Sequence, residues 1–265
     1  MPKVKVNDIN IYYEIHGKGF PFLLIRGLSS DVYRWPPDFI KELSKYFKII
    51  LFDNRGAGRT DKPDTEYSIM MMADDTTGLM KVLNIEKAHI LGYSMGGMVT
   101  QEIALNYPER VKKIILCSTD CGSPNGIPIS KEVKKLLAIN REGLSGEELV
   151  RNWIILYFIE SFIQNNPDVV DEFVRRSLLA PIPPHSYKRQ LNALNKFNSY
   201  ERLKNIRVPT LILSGKEDIL VLPENSIILA KNIFGAKLML FDYLGHGLFT
   251  PKPLLLAKTI IEFLG

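Results

Sequence analysis

The chain has 265 residues, 46% hydrophobic and 24% charged, which suits one large globular domain, or a core carrying an insertion, and excludes disorder, a collagen-like fibre or a disulfide scaffold. Its 34 basic and 29 acidic residues leave a net charge of +5. The basic residues fall in separated dyads such as Lys112-Lys113, Lys134-Lys135, Arg175-Arg176 and Lys188-Arg189, not in the stripe of a nucleic-acid binder, so no nucleic-acid partner is expected.

Residues 3–6 and 9–15 read as strands around an Asn7-Asp8 turn. Residues 22–25 and 48–52 are short apolar runs without alternation, as in strands buried on both faces, with a helix over 37–43 between them. Helical spacing over 69–83, a strand at 88–91, a helix at 95–106 and a strand at 111–117 follow. Such alternation means right-handed crossovers and a parallel sheet covered by helices. Cys117 and Cys121 fall here; with no C-x-x-C, and two cysteines making no disulfide framework, they are expected to pack in or near the core of a protein from a reducing compartment.

The rhythm breaks at Cys121-Gly122-Ser123-Pro124-Asn125-Gly126, and residues 130–203 read as helical. It resumes with a strand at 210–213, a helix at 224–232, a strand at 237–241 and a closing helix at 254–263. The organisation predicted is a core of 1–121 and 206–265 interrupted by a helical insertion over 122–205. The N-terminus lacks a signal-peptide pattern and no apolar run approaches the length of a membrane span, so a cytoplasmic protein is expected.

Gly92-Tyr93-Ser94-Met95-Gly96 fits G-x-S-x-G, a weak pattern by itself that gains weight from the strand entering it and the helix leaving it. A turn that sharp strains its central residue and requires very small neighbours two positions to either side. It lifts the Ser94 hydroxyl to a helix N-terminus, where the backbone N–H of Met95 is free to stabilise an oxyanion. A serine hydroxyl needs a base, usually a histidine oriented by a carboxylate. Of four histidines, His16 reads as surface, His89 lies in a buried strand and His185 sits in a proline-rich break. His246, between Gly245 and Gly247, follows the last strand on the edge where open α/β sheets bind ligands. Asp218 follows the 210–213 strand at the same edge and completes the order Ser94, Asp218, His246. Asp120 and Asp242 remain as rival acids, and Glu217 is a neighbour easily mistaken for one.

With these residues in place the chain resembles the α/β-hydrolase superfamily from residue 10 to residue 263. Ser94-Met95-Gly96-Gly97-Met98, the run from Asp53 to Pro63, Asn106-Tyr107-Pro108-Glu109-Arg110-Val111 and Gly245-His246-Gly247 look like its carboxylesterase and 3-oxoadipate enol-lactonase branch. The resemblance implies a mostly parallel eight-stranded sheet with helices on both faces and a helical cap inserted after strand 6. It also implies that the second oxyanion donor is the backbone N–H of Leu28, in Arg26-Gly27-Leu28-Ser29-Ser30. Arg26 departs from the histidine common at its position; it is expected either to favour an anionic acyl group or to make a structural ion pair. Serine at the nucleophile position sets the chain apart from the dehalogenases and epoxide hydrolases of the superfamily, which use aspartate.

In the insertion, Trp153, Tyr157, Phe158 and Phe162 recur at roughly helical spacing, either packing the cap on the core or lining a pocket; Trp35 is a further pocket candidate. No metal or nucleotide motif is present, so no cofactor is expected. The expected function is hydrolysis of a small carboxylic ester through an acyl-enzyme. An enol-lactonase or carbon–carbon bond hydrolase acting on a small anionic substrate is the alternative, and a slow-turnover, receptor-like binder is an alternative of another class. A homodimer is one expectation for the assembly.

Overall fold

A computed structural model describes residues 3–137 and 143–265. Eight strands form one sheet in the order β1-β2-β4-β3-β5-β6-β7-β8. Here β1 is Lys3–Val6, β2 Ile9–His16, β3 Phe20–Ile25, β4 Phe47–Phe52, β5 Ala88–Tyr93, β6 Val111–Cys117, β7 Thr210–Gly215 and β8 Lys237–Phe241. β1 pairs antiparallel with β2, and β2 antiparallel with β4. Every later pairing is parallel.

The apolar runs follow from burial on both faces. Leu23 and Ile25 of β3 pack into one cluster with α2 (Ile69–Val82), α3 (Met95–Asn106) and α9 (Pro223–Asn232). Phe22 and Leu24 pack into the other with α1 (Pro37–Leu43) and α10 (Pro253–Leu264). All four side chains are fully buried, each contributing about 1.5–3 kcal/mol of transfer free energy. β8 closes the sheet as an edge strand, and Met239 on it is exposed. Cys117 and Cys121 are both buried free thiols.

The strands reach further toward the site than the apolar runs alone suggest. β5 continues through Gly92 to Tyr93, and β7 through Ser214 to Gly215. A glycine interrupts the hydrophobic pattern but not the backbone ladder: Gly92 pairs with Ile25 and Leu116, and Gly215 with Phe241.

Among the described residues, five α-helices lie between β6 and β7: α4 (Lys131–Leu137), α5 (Gly146–Tyr157), α6 (Glu160–Asn165), α7 (Pro167–Ser177) and α8 (Pro184–Asn195). They share their own apolar cluster, which includes Val133, Trp153, Tyr157, Phe173 and Tyr187. Ser145 and Glu148 form a reciprocal capping box that starts α5, satisfying two N–H groups that the helix cannot. The two ends of the insertion meet. The Ser199 N–H donates to the Cys121 carbonyl at 2.9 Å, and Gly122 bridges Asn198 antiparallel. A Cβ on Gly122 would lie 2.0 Å from the Phe197 carbonyl oxygen, so the approach demands glycine. Among the described residues, no helix is long and apolar enough to cross a membrane.

Candidate active site

β5 leads into Ser94, whose backbone has φ 56° and ψ −125°, a conformation a serine rarely adopts. A Cβ on Gly92 would sit 2.2 Å from the Gly96 carbonyl oxygen, and one on Gly96 would sit 2.3 Å from that of Ile25. Both positions therefore exclude any side chain, as the turn pattern requires. Ser94 donates its N–H to the Cys117 carbonyl at 2.9 Å, and its own carbonyl accepts from Gly97 at 2.8 Å. Its side chain is half-buried and lines a cavity. Met95 opens α3, so its N–H belongs to the first turn, where no intrahelical acceptor exists.

The loop after β3 crosses directly beside this turn. A Cβ on Gly27 would come within 2.8 Å of the Ser94 Cβ, which puts the Gly27–Leu28 peptide next to the hydroxyl-bearing residue. Leu28 lines the same cavity.

His246 lines the cavity too, although only 1% of its surface is exposed. Its Nδ1 lies 2.9 Å from Asp218 Oδ2. The other oxygen, Oδ1, accepts the N–H groups of Leu220 at 2.9 Å and Val221 at 2.8 Å, so the carboxylate is held in one orientation. An ionised carboxylate only accepts, so Nδ1 carries the proton and Nε2 is left as an acceptor. Tyr93 and Tyr157 flank the imidazole, with ring centroids 5.0 and 5.7 Å away. The flanking glycines let α5 approach closely: the Gly247 N–H donates to the Tyr157 carbonyl at 2.7 Å, and a Cβ on Gly247 would lie 2.5 Å from Phe158.

The rival residues are occupied elsewhere. Asp242 is exposed and pairs with Lys216 at 2.5 Å. Glu217 accepts the Leu244 N–H at 3.0 Å. Asp120 does line the cavity; its Oδ1 accepts the Gly122 N–H at 2.7 Å, and burial pushes its carboxyl above the usual range. His16 contacts Glu14 at the surface, and His185 is exposed. His89 is buried among Phe20, Phe22 and Phe47.

The cavity measures about 520 Å³ and lies between the sheet edge and the insertion. Trp153, Leu156 and Tyr157 of α5 and Tyr187, Leu191 and Leu194 of α8 form much of its apolar wall. Asp120, Ser123 and Asn195 supply polar groups, and Lys134 of α4 is exposed beside it.

Three expected pocket residues are placed elsewhere. Arg26 is buried, with its guanidinium 4.6 Å from the Trp35 ring centroid and 4.7 Å from that of Tyr93. It is not part of the cavity wall and, among the described residues, has no carboxylate partner. The guanidinium lies against the two ring faces and donates to Ser30 Oγ at 3.4 Å. Burial lowers its pKa to about 10. Trp35 is also removed from the wall, stacked against Phe39 and edge-on to Phe249. Phe158 packs with Phe162 and Phe173 and against Gly247, so the aromatic run splits, Trp153 and Tyr157 facing the cavity and Phe158 serving the insertion's own core. Sequence reasoning did not find Gln190, a fully buried polar side chain of α8 whose Oε1 accepts the Ser29 N–H at 2.9 Å. The signal was there: Gln190 falls three residues after Tyr187 and four before Leu194, on the helix's apolar face.

A family model described as the alpha/beta hydrolase fold matches residues 21–253. The chain belongs to this family. As an α/β hydrolase it is similar to a protein of Azorhizobium caulinodans named putative carbamate hydrolase RutD. The two are 30% identical over 267 aligned positions, covering 100% of this chain and 98% of the relative. Among solved structures, the enol-lactonase from Burkholderia xenovorans LB400 matches with a TM-score of 0.87 and 25% identity, covering 99% of both chains. A thermophilic esterase from Thermogutta terrifontis, in a malate-bound form, matches at 0.85 and 28% identity, covering 100% of this chain and 98% of the other.

Proposed function

We propose that this α/β hydrolase cleaves small carboxylic esters through an acyl-enzyme, with Ser94 as nucleophile, His246 as base and Asp218 as orienting carboxylate. The observation that carries the reading is the 2.9 Å contact of His246 Nδ1 with a carboxylate fixed by two backbone N–H groups, on the cavity that Ser94 also lines. Asp218 fixes the tautomer, so Nε2 takes the Ser94 proton as Oγ attacks the ester carbonyl. The amides of Leu28 and Met95 receive the oxyanion, where aligned donors act without reorganisation. His246 then gives its proton to the leaving alkoxide. Water, deprotonated by the same imidazole, attacks the acyl-enzyme and releases the acid.

The mostly apolar wall suits an uncharged acyl group. With Arg26 outside the wall, the reading on an anionic lactone loses its expected cation. A carbamate is the second reading, favoured by the relative's name and by Asp120, an acceptor on the cavity for a substrate N–H.

The test is fluorophosphonate labelling with turnover on a panel of p-nitrophenyl esters from two to sixteen carbons, beside an aryl carbamate, an enol-lactone and a thioester. Ser94→Ala is expected to lose labelling and about 10⁴–10⁶ of turnover while keeping its melting temperature. Near-normal turnover in that variant sinks the assignment. Stoichiometric labelling of the wild type with turnover near zero across the panel points to the receptor-like binder instead.

A further inference from the structure

We infer that Gln190 is a positioning residue for the oxyanion hole, through which the helical insertion controls the loop that carries Leu28. This rests on the ester-hydrolase reading above.

Gln190 projects from α8 into the core and is fully buried. Its Oε1 accepts the Ser29 N–H at 2.9 Å, and its Nε2 donates to the Arg55 carbonyl at 2.7 Å. One partner is a donor and the other an acceptor, so the amide has a single satisfactory orientation. The bond reaches 161 residues back along the chain, which makes it a tie between insertion and core and no part of either's local folding.

The tie lands on a strained point. Ser29 has φ 54°, a left-handed conformation that a residue with a Cβ adopts at a cost. Ser30 donates its N–H to the Gly27 carbonyl at 3.2 Å, closing a tight turn with Leu28 and Ser29 at its centre. Rotating the Leu28–Ser29 peptide would relieve Ser29, and the Gln190 carbonyl opposes that rotation by holding the Ser29 N–H. The amide of Leu28 lies one peptide upstream. Without Gln190 the turn relaxes and that amide loses its fixed aim at the carbonyl carried by Ser94.

The same helix also touches the substrate space. Tyr187, Leu191, Leu194 and Asn195 of α8 line the cavity, while Gln190 between them grips the loop. Seating of α8 and completion of the oxyanion hole are therefore one event.

The experiment compares Gln190→Met, which keeps volume but loses both bonds, with Gln190→Glu, which keeps the acceptor for Ser29. Lys196→Ala serves as control, breaking only the exposed ion pair of Lys196 with Glu66. Rates on a two-carbon ester are normalised to the sites titrated by a fluorophosphonate, so misfolded protein does not count. Gln190→Met is expected to lower kcat about 10–100-fold with KM within about 3-fold. A trifluoromethyl ketone, which forms a tetrahedral oxyanion adduct, is expected to bind more weakly by the same factor, while a product alcohol binds unchanged. Gln190→Glu is expected to recover at least half of the lost kcat on a logarithmic scale, and Lys196→Ala to match the wild type. Unchanged kcat in Gln190→Met, or an equal loss in Lys196→Ala, overturns the proposal while leaving the triad reading intact. Wild-type protein that a fluorophosphonate does not label overturns the triad reading and this proposal with it.

Discussion

Tyr93 and His246 are joined twice, by a hydrogen bond of 2.9 Å from the tyrosine hydroxyl to the histidine carbonyl and by rings whose centroids lie 5.0 Å apart. The residue before Ser94 thus holds the loop of the imidazole. Tyr93→Phe keeps the ring contact and leaves the histidine carbonyl only its 2.9 Å bond from the Leu248 N–H. It is expected to cost about 0.5–1.5 kcal/mol in urea unfolding and to lower kcat about 10-fold.

One carboxyl, Asp218, backs the imidazole and another, Asp120, lines the cavity, and they are expected to behave differently. Asp218→Asn reverses the tautomer preference of His246 and is expected to lower kcat about 10⁴-fold. Asp120→Asn, which removes no contact to the imidazole, is expected to stay within about 5-fold on esters. Steady-state kinetics on one p-nitrophenyl ester separates them.

The floor of the site has no spare volume. A methyl group on Gly96 would lie 2.3 Å from the Ile25 carbonyl oxygen and 2.8 Å from that of Arg26. Gly96→Ala is expected to destabilise the fold by about 3 kcal/mol and to abolish fluorophosphonate labelling, since the collision pushes the strand end from which the Leu28 loop departs.

The largest side chain of the cavity wall is expected to set chain-length preference. Trp153 lines the cavity and packs within the insertion's cluster. Trp153→Leu is expected to move the optimum of the p-nitrophenyl panel to a longer acyl chain and to lower the melting temperature, through lost packing.

Stability at acid pH is expected to depend on His89. Burial, followed by the nearby Lys112 and Lys113, lowers its pKa from 6.5 to about 4. The folded protein therefore binds fewer protons than the unfolded chain between those values, and stability falls as pH drops through that window. The loss reaches on the order of 2–3 kcal/mol near pH 4. His89→Phe, which keeps the ring among Phe20, Phe22 and Phe47, is expected to remove that component; melting curves of both proteins from pH 7 to pH 4 measure the difference.

Periodicity made the sheet legible, because strands buried on both faces write themselves as runs such as Phe22-Leu23-Leu24-Ile25. The strained turn at Ser94 and the glycine-flanked His246 were legible because close approach of backbone leaves small residues behind. The substrate space was less so. Arg26 and Trp35 are near Ser94 in the chain's topology, yet they stack on each other beneath the wall, which no spacing encodes. Trp153 and Phe158 share one aromatic run but face different partners, since α5 ends at Tyr157 and the backbone turns. Gln190 and Ser29 are separated by the docking of a whole helical unit, and only tertiary contact says what a polar residue on an apolar face is for.

The pairing of Gly122 with Asn198 means that the helical unit enters and leaves through a single doorway. Ser94, Asp218 and His246 all lie outside the span between those two posts, yet the Tyr157 carbonyl and the Gln190 amide reach out of it to the His246 loop and the Ser29 turn, so a transplanted span is expected to leave the chemistry standing only where it brings both of those ties with it.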